Sequence, residues 1–297
     1  MKPLEFLRPE TLADAIGLIG QSPATGLLAG GTDLIVQWRE GHRPLERMVD
    51  LKQIPELNVL EYDPATGLRL GAAVSCAALG EFAPARENYP GLVEGAELIG
   101  STQIQQRASV GGNVCNGSPA ADSICALIVL EAVMVAQGPD GQREIPAREF
   151  MTGPGATALK SGELLVEMRV PPPAPNSADA YLRFIPRNEM DIAVAGAAAW
   201  VQLSEDKSTI TAARVAIGAV APTPLLVEAA GAALVGKSLG VGAVIDAGAL
   251  EAAAAAASGA AKPITDVRGT AEFRTHMAGV LTRRSTEIAT TRATERA

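Results

Sequence analysis

Ser109-Val110-Gly111-Gly112-Asn113-Val114-Cys115-Asn116-Gly117-Ser118-Pro119-Ala120-Ala121-Asp122 is the stretch from which the fold of this chain can be read. Glycine and small polar residues crowd it while apolar sequence flanks it, so it reads as a ligand-facing loop and not a core element. Paired glycines admit φ > 0 and let a ligand approach the main chain without meeting a Cβ. Unpaired N–H groups in such a loop make a concave anion site. Asn113, Asn116 and Ser118 add donors, and Asp122 closes the run before an apolar, helix-like segment. Upstream, Leu27-Leu28-Ala29-Gly30-Gly31-Thr32-Asp33-Leu34 echoes it. There a short apolar strand meets Gly-Gly, and Thr32 or Asp33 can cap a helix beginning near Leu34. Two such loops suit the two phosphates of one pyrophosphate.

Composition narrows the choices. At 297 residues the chain can bury one large core or two ordinary ones. A hydrophobic share of 47% with 20% charged residues fits a soluble globular protein, and an aromatic share of 3% means the core is aliphatic. The net charge of −8 argues against nucleic acid, because phosphate contact needs surplus Lys and Arg. No apolar run of membrane-spanning length occurs, and Met1-Lys2-Pro3-Leu4-Glu5 lacks the apolar core of a secretory signal. A cytoplasmic location is expected. Cys76, Cys115 and Cys125 are the only cysteines, with no Cys-x-x-Cys pair, so they cannot ligate a four-thiolate iron–sulfur cluster. His42 and His276 are far apart, and no metal site is expected. Cys76 and Cys125 read as small core residues, and Cys115 as a small residue near the ligand without redox work.

Along the chain, Thr11 and Asp14 mark a helix start with helical spacing up to Gly20. A strand over 27–29, the first glycine loop and a helix over 34–40 make a strand–loop–helix phosphate cradle. It has neither the Gly-x-Gly-x-x-Gly spacing of a Rossmann turn nor the Lys-Ser/Thr of a Walker loop. Strands are expected at 47–51, 59–62, 68–72, 133–136 and 163–170, and helices after Ser75, over 92–99 and over 124–130. Pro171-Pro172-Pro173-Ala174-Pro175 is a stiff connector that can join neither a helix nor a central strand. Beyond it, strands at 181–186, 192–203 and 210–218 precede helices at 225–234, 244–257 and 273–288, with a polar tail after Ala289 expected to fray.

A Gly-Gly pair after a strand is more often a tight turn than a site. The two stretches together, with Asn and Asp at these offsets, resemble the flavin-binding loops of the medium, FAD-carrying subunit of the molybdenum hydroxylases. That family includes the medium subunit of carbon monoxide dehydrogenase, the flavin domain of xanthine dehydrogenase and subunits of bacterial N-heterocycle dehydrogenases. The resemblance covers nearly the whole chain. It implies an α+β fold: a two-lobed PCMH-type FAD-binding domain over residues 1–174, with flavin between the lobes. A small C-terminal domain over 175–290, with a three-stranded antiparallel sheet and helices, and a frayed tail over 291–297 would follow.

The resemblance also carries residue roles. Leu28, Ala29, Gly30, Gly31, Thr32, Asp33 and Leu34 match the first loop, whose backbone would hold the pyrophosphate. Ser109, Val110, Gly111, Gly112 and Asn113 match the second, with Gly111 and Gly112 against the flavin or its diphosphate. Asp122 would accept hydrogen bonds from ribityl or adenosine hydroxyls, as an acceptor-only carboxylate can. Ile99 and Leu165 match apolar positions against the ring systems, and Arg183 stands where the family commonly has Lys. From the residues alone Asp122 serves equally as a helix cap, Arg183 as a surface charge, and Ile99 and Leu165 as core. No catalytic pair stands out, which fits a carrier whose cofactor performs the redox step. The implied partners are a large molybdenum-cofactor subunit and a small subunit with two [2Fe–2S] clusters, in a heterotrimer that is itself doubled. This chain would pass electrons through FAD to a terminal acceptor. Two alternatives stay open: a free-standing flavin reductase of the same fold, and a scaffold subunit without flavin.

Overall fold

The computed structural model describes residues 4–296. The first lobe runs β1 (Glu5–Leu7), α1 (Leu12–Ile19), β2 (Thr25–Leu28), α2 (Leu34–Arg39) and β3 (Arg47–Asp50). Its sheet is parallel in the order β1-β3-β2, because each helix carries the chain back to the same end of the sheet. The Thr11 hydroxyl accepts from the Asp14 N–H at 3.1 Å and begins α1, as its spacing predicts. Leu28, Leu34, Leu45 and Met48 pack as a small cluster of their own, while Ala15 and Val49 join the main core.

A 3₁₀ turn (Pro55–Asn58) leads to the second lobe. β4 (Leu60–Asp63) and β5 (Gly67–Gly71) start its sheet. The chain then departs through α3 (Cys76–Glu81), α4 (Ala83–Asn88), α5 (Pro90–Glu97), α6 (Thr102–Gln105), α7 (Val110–Cys115) and α8 (Ile124–Val129). It returns as β6 (Val133–Gly138) and β7 (Gly141–Pro146), then α9 (Ala147–Phe150) and the hairpin β8 (Met151–Gly153)–β9 (Ala156–Thr157). β10 (Leu164–Val170) inserts between β5 and β6, giving the antiparallel order β4-β5-β10-β6-β7. As the central strand it is buried along most of its length. Its one acid, Glu167, is matched by Arg69 and Arg169 at 3.0 and 2.7 Å.

After the prolines come β11 (Ser177–Phe184), β12 (Ala195–Leu203) and β13 (Ile210–Gly218), antiparallel and edged by the two-residue β14 (Leu225–Leu226). α10 (Glu228–Leu234), the hairpin β15 (Leu239–Gly240)–β16 (Val244–Ile245), α11 (Ala247–Ala260) and α12 (Ala271–Glu295) complete the chain. β12 explains why its sequence is apolar throughout instead of alternating. Ala195, Ala197, Ala199 and Val201 belong to the core shared with α11 and α12, whereas Ala198 and Trp200 belong to the N-terminal core. A sheet buried on both faces has no polar side to display.

Four expectations need correction. The tail does not fray at Ala289: α12 continues to Glu295. Its Arg292 donates to the Asp179 carbonyl at 2.9 Å and to the Glu94 carboxylate, and Arg296 donates to the Ser177 carbonyl at 2.8 Å and to Asn88. Two arginines four residues apart on one helix face dock what composition alone reads as loose. Residues 225–226 extend the sheet before α10 begins, and 244–245 form a strand, so α11 starts at Ala247, capped by Asp246. β7 has no counterpart in the sequence reading, because an exposed edge strand of Gln142, Arg143 and Glu144 shows no apolar pattern.

The two domains meet where α5 lies against β11. Gly91 permits this contact: a Cβ there would sit 2.6 Å from Oδ2 of Asp179. The Asp179 carboxylate is buried with no hydrogen-bond partner at good geometry. Burial first, then the neighbouring Glu94 charge, pushes it from 3.8 up to about 7. The unfolded chain ionises this group near its ordinary value while the folded chain keeps it protonated to about pH 7. The folded state therefore holds the extra proton between those values, and stability falls as pH rises through that window. Thermal melting from pH 5 to pH 8 should show a loss of up to a few kcal/mol. Asp179→Asn should flatten most of it, leaving a smaller fall from Asp122, which is itself raised to about 6. An unchanged slope in the variant would reject this assignment.

Candidate functional site

A cavity of about 750 Å³ opens between the two lobes. From the first lobe, the chain leaves β2 at Leu28 and passes through Ala29, Gly30, Gly31, Thr32 and Asp33 into α2. Gly31 has φ +80°, the left-handed region that favours glycine. Gly30 serves another purpose: a Cβ there would lie 1.9 Å from the carbonyl oxygen of Arg107, so its hydrogen lets two backbones touch. Among the described residues, no backbone N–H from Gly30 through Leu34 donates to a protein acceptor. All five of these residues line the cavity. The cap expected from Thr32 or Asp33 does not form, since Asp33 holds the N-cap position without a side-chain hydrogen bond. Burial raises the Asp33 carboxyl above its ordinary value.

The second stretch is more ordered than its glycines suggest. Ser109 caps a short helix, α7, by accepting from the Gly112 N–H at 3.0 Å. Gly111 and Gly112 sit in its first turn and neither has positive φ. The positive φ that paired glycines admit is used at neither position, and packing is the reason at Gly111. A Cβ there would come within 2.4 Å of the Ala72 carbonyl oxygen, whereas at Gly112 it would meet only the Ser109 hydroxyl at 3.1 Å. Gly112 faces the cavity. Asn113 also lines it, and its Oδ1 accepts from the buried Ser123 hydroxyl at 2.8 Å, which leaves the amide nitrogen for the cavity side. Cys115 is an exposed residue that lines the cavity.

The remaining wall comes from Leu51 and Leu57, from Ala72 and Ala73, from Ile99 after α5, and from residues 155–165. Ile99 and Leu165 lie on the cavity wall. Glu163 is fixed by a two-point pair with Arg143, both contacts at 2.8 Å, which holds its carboxyl below its ordinary value. Leu28 and Val110 pack behind the loops and do not line the cavity. Asp122 and Arg183 do not line it either. Asp122 Oδ2 accepts from Arg183 Nη1 at 2.7 Å and Oδ1 accepts from the Tyr181 hydroxyl at 3.0 Å. Burial raises Asp122 to about 6 against the opposing effect of Arg183. Its carboxylate is engaged within the protein on both oxygens, as a tie between α8 and β11. Sequence reasoning singled out neither Gln37, His42 and Arg43 nor Thr157, Leu159 and Glu163, all on the wall. Asn116 was noted only as a donor. Among the described residues no cluster of His, Cys, Asp or Glu could hold a metal ion, and no helix is long and apolar enough to cross a membrane.

Known proteins resemble this chain along most of its length. Residues 2–173 match the family model for the FAD binding domain in molybdopterin dehydrogenase, and residues 180–289 match that for the CO dehydrogenase flavoprotein C-terminal domain. The chain is 32% identical to the putative xanthine dehydrogenase FAD-binding subunit of Escherichia coli K12, covering 94% of this chain and 93% of that one. It is 33% identical to the carbon monoxide dehydrogenase medium chain of Hydrogenophaga pseudoflava, covering 96% of each. Among solved structures, carbon monoxide dehydrogenase from Hydrogenophaga pseudoflava superposes with a TM-score of 0.91 at 34% identity, covering 98% of this chain and 99% of that one.

The glycines separate by experiment. Gly30→Ala and Gly111→Ala should each cost the fold several kcal/mol, since backbone atoms must move to admit the methyl group. Gly112→Ala should melt close to the parent protein, because only a hydroxyl faces the new carbon, and Cys115→Ser should do the same. Thermal denaturation followed by circular dichroism checks the order, and equal losses at Gly111 and Gly112 would contradict it.

Proposed function

The chain belongs to the family of FAD-binding medium subunits of molybdenum hydroxylases, and on that premise we propose that it holds FAD between its lobes as the electron-transfer station of a multi-subunit dehydrogenase. The observation that carries the reading is the run of unpartnered N–H groups from Gly30 to Leu34, set across the cavity from Gly112 and the Asn113 amide. Backbone donors without an intervening Cβ suit a diphosphate. The volume of about 750 Å³ is of the size that cofactor sites take. Leu57, Ala72, Ile99 and Leu165 supply apolar wall for ring systems. When bound, FAD supplies a redox centre able to take up electrons and release them to an acceptor.

The residues of this chain bind and orient. Gly30 and Gly111 set the spacing between the loops, Ser123 turns the Asn113 amide, and Arg143 keeps Glu163 from swinging into the cavity. The chain has three cysteines, with Cys76 and Cys125 fully buried, and cannot supply the thiolates of two [2Fe–2S] clusters. A small [2Fe–2S] subunit and a large molybdenum-cofactor subunit are the partners this requires, and we assemble the three as a heterotrimer that is itself doubled. Three free cysteines suit a reducing cytoplasm. The relatives span xanthine, carbon monoxide, nicotinate and caffeine dehydrogenases, so the substrate belongs to the large subunit.

The purified chain should carry one FAD, visible by its absorbance and released intact by denaturation. Flavin that stays with the precipitate, or FMN in its place, would refute non-covalent FAD binding. With aldehyde, N-heterocyclic or carbon monoxide substrates and a tetrazolium dye, the lone chain should show no turnover, and adding both partner subunits should restore it. Turnover by the lone flavin-loaded chain at the rate of the full complex would replace this reading with a self-contained oxidoreductase.

A further inference from the structure

Between the first lobe, residues 4–52, and the second lobe from Leu60 on, one side-chain hydrogen bond is formed among the described residues. Gln37 Nε2, on α2, donates to Asn116 Oδ1, at the end of α7, at 3.0 Å. No ion pair crosses with it among those residues. Both side chains line the cavity. They sit on α2, which follows the first glycine loop, and at the end of α7, which carries the second, so the bond, together with the Gly30–Arg107 contact, holds those loops together. The other attachment is of a different kind. Val49, Leu51, Ile54 and Leu57 run as a buried apolar seam from β3 through the 3₁₀ turn into the second lobe. Apolar contact is non-directional and survives a small rotation, whereas a hydrogen bond is lost once its partners separate by about an ångström. A joint that is apolar along one line and held by one polar bond elsewhere opens at the polar bond.

We propose that Gln37 and Asn116 form a clasp that closes the first lobe over the cavity, so that the dinucleotide enters and leaves when this bond parts. The identity of the occupant rests on the FAD reading, while the clasp itself does not. Both groups are neutral amides, so the clasp neither repels a diphosphate nor changes with pH. Its role is to position the two loops and to limit exchange.

The test uses the flavin-loaded chain and its flavin-free form. Asn116→Ala and Gln37→Ala should each release FAD about fivefold faster, the effect of one part-buried hydrogen bond. The double variant should be no faster than either single one, because both remove the same bond. Release is followed by the recovery of flavin fluorescence. In the flavin-free protein Cys115 reports the same opening: it lines the cavity, so parting the lobes should speed its alkylation by a bulky maleimide, while Cys76 and Cys125 stay buried. Single variants that release FAD at the parent rate, or a double variant whose effect is the product of the two singles, would overturn the clasp. If the parent chain retains no flavin the FAD reading fails, and alkylation still decides: faster labelling in both variants supports the clasp and unchanged labelling rejects it.

Discussion

Much of this structure depends on the contact between Gly30 and the carbonyl of Arg107. Two main chains from different lobes approach until a single hydrogen separates them, and a Cβ would stand 1.9 Å from the oxygen. A second approach of the same kind, Gly111 on Ala72, sets α7 against the end of β5. Because the lobes are spaced by backbone, the polar lining of the cavity is largely backbone as well. A buried N–H deprived of an acceptor costs about 1–3 kcal/mol. The five consecutive free groups from Gly30 to Leu34 therefore stay where water or an acceptor-rich ligand can reach them. The spacing that builds the cavity thus leaves backbone donors facing it, as the proposed diphosphate would require.

The same dependence on main chain decides what could be read from sequence. The glycine pairs were legible because no other residue explains them, and the proline run because it excludes both helix and sheet. Strand β13 was read at its full bounds, Ile210–Gly218, since a turn of Ser, Glu, Asp and Lys precedes it. Positive φ is not what Gly111 and Gly112 are for, and at Gly111 close packing leaves the same mark in a sequence. Thr157, Leu159 and Glu163 were not legible as wall residues: nothing in their identity shows that the β8–β9 hairpin brings them beside Gly117, where the Gly155 N–H donates to the Gly117 carbonyl at 2.9 Å. Gln37 and Asn116 look like any surface amides until two segments 79 residues apart are brought together.

Asp122 and Asp179 show how the junction between the domains uses charge. Both are carboxylates lifted by burial, but Asp122 is answered by Arg183 and Tyr181, whereas Asp179 faces α5 with neither oxygen matched. An acid that is buried and paired fixes a position, and one that is buried and unpaired is held there only by the surrounding packing. The Asp122 tie does indirect work for the cavity. The next residue, Ser123, begins α8 and orients the Asn113 amide, so β11 reaches the cavity wall through two steps of hydrogen bonding.

The C-terminal domain acts on the cavity by a second route. Arg292 of α12 holds Glu94 of α5, and the other oxygen of Glu94 accepts from the Tyr181 N–H at 2.9 Å. Helix α5 runs directly into Leu98, Ile99 and Gly100, and Gly100 stops it with φ +65°. Ile99 is thus placed on the wall by a helix whose own position is set from the far domain. Arg296 repeats the anchorage one turn later, on Asn88 and the Ser177 carbonyl. A small domain that contributes no side chain to the cavity lining nevertheless holds two of its walls, through α5 and through α8. Among the described residues the first lobe is joined to the rest by an apolar seam, the Gly30–Arg107 packing contact and one side-chain amide pair. A ligand entering through the proposed clasp would move that lobe against the rest of the chain, whose cavity walls α5 and α8 hold in place.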